Sequence, residues 1–245
     1  MTRTLQARAI VGTEANGAGG SRVHTLRGDG PLALRQAEGA VYLVGAAAGP
    51  LGGDRLELSC TVGPGSTLRL RSAAATLLLP GRGGAASSFD VHTVVGPGAM
   101  LDHALQPMIV CRGCHHRQRS RLSLAGGASL RWREELVLGR HGEPPGECTL
   151  RLDVDYAGVA LLRHELRLGA DHCFTSPAVL GDARAVGSLL LAGPRCGDPA
   201  RWFATDRLAI TPLAGPGVLV LALAADAATL CRRLDEAEQL LTAGP

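Results

Sequence analysis

Alternation with a period of two runs through most of this chain and restricts its fold more than any other feature. Leu56, Leu58, Cys60 and Val62 alternate with Arg55, Glu57, Ser59 and Thr61. Leu150, Leu152, Val154 and Tyr156 alternate with Arg151, Asp153 and Asp155, and similar runs surround Leu68–Leu70, Phe89–Val95 and Leu130–Leu138. A strand turns successive side chains to opposite faces, so each run reads as a strand with one buried and one wetted face. Glycine turns punctuate the strands: Gly63-Pro64-Gly65 before Leu68, Gly96-Pro97-Gly98 before Leu101, Gly126-Gly127 before Leu130. They recur at intervals of roughly thirty residues, which points to stacked coils or two facing sheets, set against the fact that glycine turns are common in any antiparallel β protein. Helix is expected only in the C-terminal third. Asp226 to Ala243 offers an N-cap, a stripe of Leu230, Leu234, Leu240 and Leu241, and a following Gly244. A shorter helix is expected around Ala183 to Leu191. No stretch is long or polar enough to be a linker. The expectation is a single domain over residues 1–245, mainly β, built of stacked β layers in a β-helix-like manner, with one or two short helices.

Composition narrows the function classes. The 25 basic residues are all arginine and the net charge is only +3. A nucleic-acid surface needs a basic stripe with stacking aromatics, and aromatics are 3% of the chain. The longest clean apolar run, Val218 to Ala225, is too short to span a bilayer, and no signal-like stretch precedes Gly17. Seven cysteines are scattered from Cys60 to Cys231, an odd number without a disulfide-framework spacing. The chain is therefore expected to be cytoplasmic, with no membrane or nucleic-acid partner and with reduced thiols.

Four local patterns carry chemistry. The Gly-Pro-Gly pieces each precede a strand pattern, so they are turns and not nucleotide loops. Cys111-Arg112-Gly113-Cys114-His115-His116 has the form of a haem attachment site, but that chemistry needs an exported protein. Two thiols and two imidazoles on one loop also suit a soft divalent metal, with a plain hairpin tip as the bland reading. Arg117, Arg119 and Arg121 alternate, so they share one strand face. They serve either as a solvated face or as a dock for an acidic partner. Glu134 interrupts Leu130, Trp132, Leu136, Leu138, and His164 interrupts Leu162, Leu166, Leu168. If both registers hold, a carboxylate and an imidazole point inward, where each needs a partner, a metal or water. No nucleophile elbow, zinc-protease helix or phosphate loop is present, so no catalytic constellation is expected.

An ordered set of segments carries a resemblance. Val41-Tyr42-Leu43-Val44, Gly52-Gly53-Asp54-Arg55-Leu56 and Val62-Gly63-Pro64-Gly65 come first, then Leu70–Leu77. Leu105-Gln106-Pro107, Arg117–Arg121, Ser129–Glu134 and Leu138-Gly139-Arg140 follow. Together they resemble the urease accessory protein family UreD/UreH. The chain departs from the family pattern at Gly45–Leu51, at Thr76-Leu77 and in the Cys/His-rich stretch. The resemblance implies a β-rich, non-enzymatic scaffold that acts with UreF, UreG and the urease structural subunits. It implies that nickel passes transiently through the protein, with no permanently bound cofactor. On that reading Glu134 and His164 line a transit path, while Asp54 and Arg117, Arg119 and Arg121 bind partners. The rival is a stand-alone metal-binding protein using Cys111, Cys114, His115 and His116.

Overall fold

The computed structural model describes residues 4–17, 19–47, 49–169, 174–196 and 202–242. The first strands are β1 (Gln6–Ala15), β2 (Ser21–Arg27), β3 (Leu32–Ala37), β4 (Ala40–Gly45), β5 (Arg55–Val62) and β6 (Thr67–Ser72). Then come β7 (Thr76–Leu78), β8 (Ser87–Val95), β9 (Met100–Ala104), β10 (Met108–Val110), β11 (His115–Leu124) and β12 (Ser129–Val137). The chain continues with β13 (Glu147–Tyr156), β14 (Val159–Leu168), β15 (Ala185–Ala192), β16 (Phe203–Ala204), β17 (Leu208–Pro212) and β18 (Gly217–Ala224). One α-helix, α1 (Ala227–Thr242), follows.

These strands form two facing sheets. The first has the order β14-β13-β11-β8-β5-β1-β2, and the second has β16-β17-β18-β15-β12-β9-β6-β4-β3. The middle of each is parallel: β1, β5, β8, β11 and β13 in one, and β4, β6, β9 and β12 in the other. Each coil climbs the first sheet, turns at glycine and descends the second, as in a solenoid. The thirty-residue spacing is visible as register. Val62 lies beside Val95 and Val95 beside Leu124, while Leu68 lies beside Leu101 and Leu101 beside Leu130. The turns stack too. Gly65 N–H donates to the Pro97 carbonyl at 2.9 Å, and Gly65 and Gly98 adopt positive φ of 65° and 64°. Only a residue without a Cβ takes that conformation freely, which is why glycine recurs at these corners.

The inner faces bury the alternating apolar residues predicted for them; Leu58, Val62, Leu130 and Trp132 are each 1% exposed or less. The second sheet has one opening that matters below. β6 stops at Ser72 and β7 begins at Thr76, while β9 stops at Ala104 and β10 begins at Met108. Beside that breach β12 carries Arg133, Glu134 and Glu135 between its pairing with β9, which ends at Arg133, and its pairing with β10, which starts at Leu136.

The helix is where the sequence placed it. Asp226 Oδ1 accepts the Thr229 N–H at 2.7 Å, an N-cap bond. Its buried stripe is Leu230, Leu234, Ala237 and Leu241, whereas Leu240 is 49% exposed. Gly187 lets the helix approach, since a Cβ there would lie 2.9 Å from the Leu234 side chain. Arg131 grips Glu238 through two bonds of 2.5 and 2.7 Å, and Arg133 bridges Glu135 and Asp235. The second helix expected around Ala183 to Leu191 is instead strand β15, paired on both edges by β12 and β18. One of its faces is covered by α1 and the other by the first sheet, so its apolar residues do not alternate and the pattern loses its strand signature. Among the described residues, no helix is long and apolar enough to cross a membrane.

Leu234→Ala should cost about 3 kcal/mol, as a buried leucine truncation does where neighbours cannot collapse. Leu240→Ala, on the exposed side of the same helix, should stay within about 0.5 kcal/mol. Urea denaturation of the two variants checks the stripe; equal costs would contradict it.

Candidate functional site in the sandwich interior

Strand β11 places Arg117, Arg119 and Arg121 outward, so His116, Gln118 and Ser120 must face inward. The structure buries all three to 6% exposure or less. Opposite them, β12 turns Trp132 and Glu134 inward and β9 contributes His103. A polar seam therefore crosses an otherwise apolar core. Gln118 Nε2 donates to Glu134 Oε1 at 2.8 Å, a bond that spans the two sheets. His116 Nδ1 shares a 2.8 Å hydrogen bond with Ser87 Oγ. The His103 ring stacks on Trp132 with centroids 3.6 Å apart and planes inclined by 8°.

Two cavities occupy this seam. The first, about 310 Å³, is lined by Asp54, His103, His116, Gln118, Arg133 and Glu134 and reaches the exposed Ala73–Ala75 segment in the sheet breach. The second, about 340 Å³, is lined by Glu134, His164, Leu166, Ser188 and Leu221 and reaches exposed Val179 and Thr205. Among the described residues, Glu134 alone lines both. Several buried polar atoms nearby have no hydrogen-bond partner within the protein: His103 Nδ1, His116 Nε2, Ser120 Oγ and Trp132 Nε1. Buried polar groups are costly unless satisfied, and cavities of this size beside them have room for water.

Burial sets the charge state of the seam. It pushes the Glu134 carboxyl up to about 7, against the Gln118 amide that favours the charged form. The Trp132 indole N–H favours it as well, without reaching hydrogen-bond geometry. Burial lowers the His116 imidazole to about 4 and the His103 imidazole to about 3, and it lowers His164 too. Near neutral pH the interior thus presents neutral imidazoles and a carboxyl raised toward neutrality. The seam can offer a divalent cation oxygen and nitrogen donors, and the Arg133 guanidinium on the wall of the first cavity is paired with Glu135 and Asp235.

The sequence expectations fare unequally. Glu134 and His164 point inward as their registers required, on facing sheets. Asp54 is not a surface group. It is 7% exposed, with Oδ1 accepting the Leu5 N–H at 3.2 Å and Oδ2 the Leu51 N–H at 2.9 Å. It fastens the turn at one wall of the first cavity. Arg117, Arg119 and Arg121 do share the outer face of the first sheet. Arg119 is neutralised by Asp153 at 3.0 Å and Arg121 sits 3.7 Å from Asp90, whereas Arg117 has no acidic partner among the described residues.

The four residues grouped as one metal loop do not converge. Cys111 and Cys114 close a tight turn through a 3.1 Å backbone bond and are both 1% exposed. His115 reaches outward to Glu147 at 3.2 Å, and His116 turns inward to Ser87. Burial pushes the Cys114 thiol up to about 12. Adjacent residues of a strand face opposite ways, which the bare spacing conceals. Among the described residues, no group of three or more histidine, cysteine or acidic side chains is arranged to hold a metal ion. Gln118, Ser120 and His103 were missed. Assigning the arginines outward implied the inward polar row of β11, and that was the available signal.

Comparison with known proteins follows the same direction. Residues 6–244 match the profile of a family described as UreD urease accessory protein. A urease accessory protein UreD of Parafrankia sp. is 46% identical, over 98% of this chain and 90% of the relative. A urease accessory protein UreD 3 of Streptomyces griseus subsp. griseus is 44% identical over 96% of each chain. A UreD of Streptomyces avermitilis is 42% identical over 95% of this chain and 96% of the relative.

Glu134 gives this site a pH signature. Between about pH 4.5 and 7 the folded protein holds a proton on Glu134 that the unfolded chain has released. That contribution to stability is complete below the lower value and is lost as pH rises to the upper one, about 3 kcal/mol in all. Glu134→Gln lacks the loss. The variant should gain stability relative to the parent as pH rises through this window and hold a constant margin above it. Parallel thermal melts at several pH values check this; a margin that does not change with pH would contradict it.

Proposed function

The chain belongs to the UreD urease accessory protein family, and from that premise we propose that it is a non-catalytic, cytoplasmic scaffold of urease maturation that conducts nickel through the seam between its sheets. Its partners on this reading are UreF, UreG and the apo-urease structural subunits. Nickel is cargo and not a resident cofactor.

One observation carries the proposal: Glu134, a half-buried carboxyl that points into the sandwich, lines both interior cavities, and neutral imidazoles stand to either side, His103 and His116 in one cavity and His164 in the other. A transit path has to bind an ion well enough to admit it and weakly enough to let it leave, which several spaced sites achieve and a closed cage does not. Glu134 supplies negative charge once its proton leaves, and the imidazoles supply neutral nitrogen donors. Because no three such donors converge among the described residues, the ion keeps part of its water shell, for which cavities of about 310 and 340 Å³ leave space. The arginine face of the first sheet is the docking side of this scheme. Arg117, uncompensated, contributes most to recognition of an acidic partner, with Arg119 and Arg121 held in place by Asp153 and Asp90.

Glu134→Leu removes the carboxyl together with its desolvation cost, and the scaffold should remain folded, since the first cavity has room for water on the Gln118 amide left behind. Urease activity of cells that carry the variant should fall roughly tenfold, in the range typical of losing a metal-site group. Melting temperature and UreF pull-down of the purified variant should match the parent. Parental urease activity with a folded, partner-competent variant would overturn the conduction reading. Separately, Arg117→Glu should weaken partner capture most at low ionic strength, because a charged contact is screened by salt. Capture that is equal for the two proteins at low salt would remove Arg117 from the interface.

A further inference from the structure

The bond between Gln118 and Glu134 lies where the two cavities adjoin. Gln118 lines the first cavity and not the second, while Glu134 lines both. The two residues come from opposite sheets, so their 2.8 Å hydrogen bond is a bar across the seam. Among the described residues the Gln118 side chain has no other hydrogen bond, and its neighbours on the inward row, His116 and Ser120, each keep an unpartnered polar atom. The amide is therefore secured at one point. It also has a donor and an acceptor end, so rotation can present its carbonyl oxygen where its N–H₂ had been.

We propose that the Gln118–Glu134 bond is a latch between the two cavities, closed when the seam is empty and released when a divalent cation takes the place of the Gln118 amide on the Glu134 carboxylate. This rests on the conduction reading above and adds a control point to it. The amide competes with the ion for one oxygen. It slows the ion's entry to the second cavity and closes again behind it. An apolar residue at 118 could not close the bar, and a carboxylate at 118 would hold the ion between two acids. The position thus needs a neutral group that hydrogen-bonds a carboxylate, and glutamine meets that need.

The chain contains two tryptophans, Trp132 within the seam and Trp202 exposed at 72%. With Trp202→Phe as background, Trp132 reports the arrival of Ni2+ beside Glu134 through quenching of its fluorescence, followed by stopped flow. Gln118→Ala should speed quenching roughly fivefold, as the loss of one ordinary hydrogen bond allows. Gln118→Glu should act oppositely on exit, with recovery on adding a chelator slower than in the parent. Quenching in parent and Gln118→Ala at the same rate would overturn the latch and leave conduction standing. No quenching in the parent or either variant would overturn both. If Gln118→Ala does not fold, Gln118→Glu decides alone: recovery as fast as in the parent overturns the latch.

Discussion

A carboxyl group placed between two apolar sheets is the constraint on which the rest of this structure depends. Burial of a charge in such a place is paid for only by pairing, by water or by neutralisation. Here Glu134 is raised to about 7, bound by one amide and bordered by two cavities. The solenoid supplies rigid parallel strands that fix the group in position, and the breach between β6 and β7 and between β9 and β10 supplies an opening to it. The ion pairs of Arg131 and Arg133 hold α1 against the second sheet beside that breach. A well-packed hydrophobic replacement would make a firmer sandwich, so the polar seam reads as a functional expense.

Much of the architecture was legible in the residues because periodicity and turn chemistry are local. Leu56 to Val62 and Leu150 to Tyr156 declare their buried faces without reference to anything distant. The glycine corners at Gly65 and Gly98 declare the coil length through their backbone conformation. β15 was not legible. Val186, Leu190 and Leu189 are covered from two sides, one by the opposing sheet and one by a helix that arrives later in sequence. A stretch that is apolar at Ala185, Val186 and Leu189 to Leu191 without alternating fits helix and buried strand alike until its neighbours are known.

The site was legible in part, for a related reason. Glu134 and His164 stood out because each broke an apolar alternation. His116 was noticed for the wrong company. Its neighbours Cys111, Cys114 and His115 suggested a shared metal, yet strand geometry sends His115 to Glu147 outside and His116 to Ser87 inside. Gln118 and Ser120 attracted no notice because the arginines between them dominated the reading of β11. Asp54 looked like a surface turn residue, and only the tertiary structure reveals that the distant Leu5 amide joins the local Leu51 amide on its oxygens. Local pattern thus identifies which face a residue takes, while the partners it meets there are set by pairs of strands far apart in sequence.

The central claim is that Glu134 and the imidazoles around it handle the metal cargo inside the sandwich. Crystals of the purified protein soaked in Ni2+ and measured at the nickel absorption edge test it most directly. The account predicts partially occupied anomalous peaks inside the seam, within coordination distance of Glu134 and of His116, His103 or His164, that vanish in Glu134→Leu. Anomalous peaks confined to surface histidines and acids, with the seam empty at every nickel concentration, would contradict it.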